Sequence, residues 1–97
     1  MTTNEMKTAF ESALCTEARC RGMVVKMWDD IWAVDQAIRI QRGETLLTVV
    51  DAALSSGTFD TRTQEYQLHN PQTGGLMLAM ADRDLVREPT GGGECRS

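Results

Sequence analysis

Apolar side chains recur at spacings of three and four near the start of the chain: Met6, Ala9, Phe10, Ala13, Leu14 and Ala18. That period puts them on one stripe of an α-helix, with Glu11, Glu17 and Arg19 largely off it. Thr2 followed by Glu5 has the form of a capping box, in which each side chain takes up the other residue's exposed backbone N–H. Arg19 and Arg21 stand at the carbonyl end, where positive charge suits the helix dipole, and Gly22 suits a left-handed stop. A first helix is predicted between these two signals.

The period changes after Gly22. Residues 23–28 (MVVKMW) are a short apolar run bounded by Gly22 and the Asp29–Asp30 pair, which is the length and boundary of a strand. Residues 31–42 (IWAVDQAIRIQR) carry two readings. In one, Trp32, Val34, Ile38 and Ile40 share a strand face and make a hairpin across Asp29–Asp30. In the other, Asp29 or Asp30 caps a helix with Ile31, Val34 or Asp35, and Ile38 on one side and Gly43 as its stop. The β-branched side chains and the even-numbered alternation favour the strand.

Helical spacing returns over residues 45–56, where Leu46, Leu47, Val50, Ala53 and Leu54 form a stripe between the Thr45 cap and Gly57. Residues 58–69 alternate roughly between polar and apolar or aromatic side chains, which suits one half-exposed strand. Residues 70–75 (NPQTGG) read as a loop. Leu76, Leu78 and Met80 then alternate with Met77, Ala79 and Ala81 in a returning strand buried on both faces. The expected fold is α+β: a small antiparallel sheet of two hairpins, with two helices packed on one face. Residues 1–87 form the single domain, and residues 88–97 (EPTGGGECRS), with little to pack, form a flexible tail.

Composition narrows the function classes. The chain has 97 residues, 41% of them apolar and 25% charged, as expected of one ordinary globular domain. No apolar run reaches the roughly eighteen residues of a membrane span, and residues 1–12 lack a basic-then-apolar leader, so a cytoplasmic chain without membrane contact is expected. Ten basic and fourteen acidic side chains leave a formal charge of −4 with no clustered Lys/Arg face, which disfavours nucleic acid as a partner. Cys15, Cys20 and Cys95 are odd in number and lack a C-x-x-C spacing, so unpaired thiols are expected, and no metal or other cofactor.

Candidate chemistry is sparse. His69 is the one histidine, with no activated Ser or Cys at a telling spacing. The Asp29/Asp30 and Asp82/Asp84 pairs suit turns better than acid–base work. Gly74–Gly75 is neither a P-loop nor a dinucleotide fingerprint. If residues 31–42 were helical, Gly43 would separate two helices as in a helix-turn-helix, yet residues 45–56 hold no Arg, Lys, Asn or Gln to read bases. The best interaction signal is Trp28, Asp29, Asp30 and Trp32: two large aromatic anchors beside two carboxylates that would select a basic surface. In the competing reading one or both tryptophans fill the core, since the chain has few aromatics to build with.

These observations imply a non-catalytic interaction protein that binds another protein through Trp28, Asp29, Asp30 and Trp32, as a regulator or inhibitor. A homodimer is compatible with that reading. Small acidic chains of this general type occur among phage and mobile-element accessory proteins, including inhibitors of host defence. The alternatives are a DNA-binding regulator with helix-turn-helix-like helices and a small enzyme or enzyme subunit.

Overall fold

The computed structural model of the protein describes residues 2–84. The elements run α1 (Thr3–Cys20), β1 (Met23–Trp28), α2 (Asp30–Gln41), α3 (Leu46–Ser55), β2 (Thr58–Asp60), β3 (Glu65–His69) and β4 (Leu76–Asp82). The strands form one antiparallel sheet in the order β1-β4-β3-β2. This corrects the expected fold in two places. Three helices are present, not two, and β1 has no hairpin partner in residues 31–40. It pairs instead with β4, with Met23 opposite Asp82 and Trp28 opposite Leu78.

The α1 signals hold: Thr2 caps the helix, its hydroxyl accepting from the Glu5 N–H at 3.1 Å while Glu5 accepts from the Thr2 N–H at 2.9 Å. Phe10, Leu14 and Ala18, on successive turns of the predicted stripe, are fully buried. The segment 31–42 is helical because Asp29 caps it, accepting from the Trp32 N–H at 3.0 Å. Its inward face is Trp32, Ala33, Gln36 and Ala37, positions that only a helical period brings together. The alternating β-branched residues that suggested a strand lie elsewhere: Val34, Ile38 and Ile40 are only half-buried. Residues 58–69 are not one strand either, since a turn at 61–64, with Gln64 at φ 59°, divides β2 from β3.

The three helices cover one face of the sheet. Phe10, Leu14, Trp32, Val49, Val50, Leu78 and Met80 form the core between the layers, and Phe10 meets Trp32 edge-on with ring centroids 5.4 Å apart. On the uncovered face β4 presents Ala79 and Ala81. Lys26, in a bulge of β1 between Val25 and Met27, reaches across those alanines to Glu65 on β3, at 2.7 Å. Larger residues on β4 would block that crossing. Among the described residues no helix is long and apolar enough to cross a membrane.

This bridge sets an acid dependence. Hydrogen bonds from Lys26, then Gln67, hold the Glu65 carboxyl below the ordinary glutamate value of 4.5. Its contribution to stability is therefore complete above that value and is lost as pH falls through the lowered one. Thr2 lowers Glu5, and Arg39 lowers Glu44, in the same sense. Thermal melts from neutral pH down through the carboxylate range should show wild type losing stability. The gap between wild type and Glu65→Gln should close at the acid end.

Candidate functional site

The turn that joins β1 to α2 places Trp28, Asp29, Asp30 and Trp32 around one end of the sheet, where each has an intramolecular partner. Trp28, half-buried against the core, donates from Nε1 to Glu11 Oε2 at 2.9 Å. Glu11 also binds Lys7 Nζ at 3.0 Å, and Lys7 binds Asp30 Oδ1 at 2.6 Å. Asp30 and then Glu11 raise the Lys7 ammonium above its ordinary value, so the cation is fixed across the working range of pH. Asp29 is the α2 cap, and its backbone N–H bonds to the Met77 carbonyl at 2.8 Å, which ties the helix start to β4. Trp32 is 6% exposed and belongs to the core. Asp29→Ala removes the cap and should cost about 0.5–2 kcal/mol, measurable by denaturant melts.

A cleft of about 150 Å³ opens beside this turn. Ile31, Trp32 and Asp35 of α2 form one wall, with Asp29 at its base; Asn70, Leu76 and Met77 form the other. The second wall is rigid by its hydrogen bonds. Asn70 Oδ1 accepts from the Gln72 and Thr73 N–H groups at 2.8 and 3.3 Å, and the Asn70 N–H donates to the Gly75 carbonyl at 2.8 Å. Gly74 completes the turn at φ 75°, a conformation that favours glycine.

Ile31 and Asp35 escape the strand reading. One helical turn apart, they stand about 40° apart on the cylinder, opposite the buried Trp32–Ala37 face. Ile31 is 73% exposed, the most exposed large apolar side chain described. Asp35 is exposed and makes no ion pair or side-chain hydrogen bond among the described residues. A helical reading capped at Asp29 would have found both, as an apolar and an acidic residue sharing an outward face.

The chain was set beside protein families, curated proteins and solved structures as a whole: no family model, no curated protein and no solved structure is similar to it. The chemistry of the site therefore rests on its own residues.

The other candidate groups take ordinary places. His69 is exposed at the end of β3, and Asp82 accepts from the Asp84 N–H at 2.8 Å in a turn. Burial raises the thiol of Cys15, which is free and half-buried. Cys20 is disulfide-bonded, which corrects the expectation of an unpaired thiol there; Cys95 and the expected tail at 88–97 lie outside the described residues. Among the described residues no three His, Cys, Asp or Glu side chains converge as metal ligands, and no buried side-chain polar atom lacks a hydrogen-bond partner.

Proposed function

We propose that this chain is a non-catalytic binding protein that regulates or inhibits another protein by docking on it through the cleft at the start of α2. The partner chemistry that fits is a Lys or Arg side chain next to an apolar residue. The observation that carries this reading is Ile31, largely exposed beside an Asp35 carboxylate that has no partner among the described residues. An apolar knob rimmed by free negative charge pairs an anchor with a selector for cations. The Trp32 and Met77 side of the cleft suits the apolar stem of a long basic side chain, and Asp35 suits its charged head. At about 150 Å³ the cleft is smaller than the ~300–1,000 Å³ of small-molecule sites, which favours a single side chain over a cofactor.

The consecutive helices α2 and α3 revive the geometry of a helix-turn-helix, but the surface chemistry argues against DNA. No Arg, Lys, Asn or Gln occurs in α3. Arg21 is held by Asp51 and Glu17, Arg39 by Glu44, Lys26 by Glu65 and Lys7 by Asp30, so these cations are already neutralised. The test is a tagged pull-down from host lysate, with and without nuclease, run beside Ile31→Arg. A stoichiometric protein that survives nuclease and is lost with Ile31→Arg supports the reading. Recovery that vanishes with nuclease, or a partner indifferent to Ile31→Arg, overturns it.

A further inference from the structure

Helix α2 is apolar on two sides. Its inward side is Trp32, Ala33, Gln36 and Ala37. On the opposite side Ile31, Asp35, Ile38 and Arg42 recur at spacings of four, three and four, which places them within about 60° of one another on the cylinder. Val34 stands beside them. Ile31, Asp35 and Arg42 are exposed, while Val34 and Ile38 are half-buried without belonging to the core. A surface helix ordinarily gives its outward side to polar residues, so an aliphatic stripe there marks a face made for contact. The two charges on the stripe are unspent. Asp35 and Arg42 make no ion pair or side-chain hydrogen bond among the described residues, although Arg21, Lys26 and Arg39 all do. Seven residues apart, they stand about 10 Å from each other along the axis, too far to pair within one helix.

We propose that this stripe packs against the same stripe of a second copy, with the two α2 helices antiparallel about a twofold axis at Ile38. The charge pattern selects that arrangement. Asp35 lies about 4.5 Å before Ile38 along the helix, and Arg42 about 6 Å after it. Reversing one helix therefore brings Asp35 of each chain to within about 1.5 Å of the level of Arg42 of the other, an offset that a long arginine side chain spans. Ion pairs then flank an aliphatic centre of Ile38 against Ile38. A parallel pair would instead set Asp35 against Asp35 and Arg42 against Arg42. The contact is isologous, as a closed dimer requires, and a single helix stripe is a small interface, so weak association is expected. Ile31 and Asp35 also belong to the proposed docking cleft; on that reading, a docked partner and a second copy compete for them.

Sedimentation of the chain alone, from ~1 μM to ~1 mM, reads the dimer without any other protein, so its outcome is separate from that of the docking reading. Wild type should pass from monomer to dimer across that range. Asp35→Arg and Arg42→Asp should each weaken self-association at least ~10-fold, because each sets like charges together at both ends of the contact. An equimolar mixture of the two variants should dimerise again, since every contact then joins opposite charges. Far-UV circular dichroism should show both variants folded. A wild type that stays monomeric throughout overturns the proposal, whatever the variants do. So does a dimer that survives either substitution, or a pair of monomeric variants that fail to associate when mixed.

Discussion

Phe10→Ala will lower Tm by at least ~12 °C, and under mild denaturant it will leave much of the protein unfolded. Phe10 is fully buried and packs edge-on against Trp32, which joins α1 to α2 above the sheet. Truncating a buried phenylalanine costs about 3–5 kcal/mol, from lost transfer energy and the cavity left behind. A domain of this size has only about 5–15 kcal/mol in total, and each kcal/mol is worth about 4–8 °C in Tm. Little can collapse into the gap, because Ala33 and Ala37 already bring α2's inward face in with small side chains. Differential scanning calorimetry of the variant, with chemical denaturation in parallel, checks the size of the loss. A fall of only a few degrees would mean that the helical layer repacks.

The second large effect concerns binding without stability. Asp35→Lys combined with Ile31→Ala should weaken the partner complex by at least ~30-fold, since a central anchor at an interface is worth about 2 kcal/mol or more. Reversing the charge at residue 35 also sets like charges opposite one another, so this pair's salt dependence should change sign, added salt now relieving a repulsion. The fold should be nearly indifferent, because Ile31 is exposed and Asp35 has no partner among the described residues. Calorimetric titration at two salt concentrations, with melts of each variant, reads both quantities. Unchanged affinity with an unchanged fold would remove the cleft from the interface. The tryptophans cannot report so cleanly. Trp32→Ala opens the core beside Phe10, and Trp28→Ala leaves Glu11 without its indole donor, so a loss of binding in either would mix with a loss of structure.

The contrast between α1 and α2 explains what the sequence reveals and what it hides. In α1 the large apolar residues are the buried ones, and a capping box marks the start, so period and boundary agree. In α2 the buried positions are mostly alanine and glutamine, while the bulky β-branched residues sit at the flanks. A pattern weighted by side-chain size then reports the wrong period. In α3 the predicted stripe includes Leu47, which is 70% exposed, while Val49, off that stripe, is buried. Small residues let helices approach closely, and only the packed fold shows that they were chosen for contact. The candidate site suffers from the same error: Asp29 and Trp32 were visible as unusual neighbours, but Ile31 and Asp35 join them only on a helix.

The two borders of the sheet bear on how this protein can associate. A long, flat outer strand is a template on which another chain can stack backbone to backbone, the first step toward fibrous aggregates. Here one border is β1, bent by its bulge where Lys26 sits, and the other is β2, only three residues long. Among the described residues neither border is a long, uninterrupted strand. Both features disfavour backbone pairing, and association through side chains is the condition under which a partner can be selected by shape and charge, not by extended backbone alone.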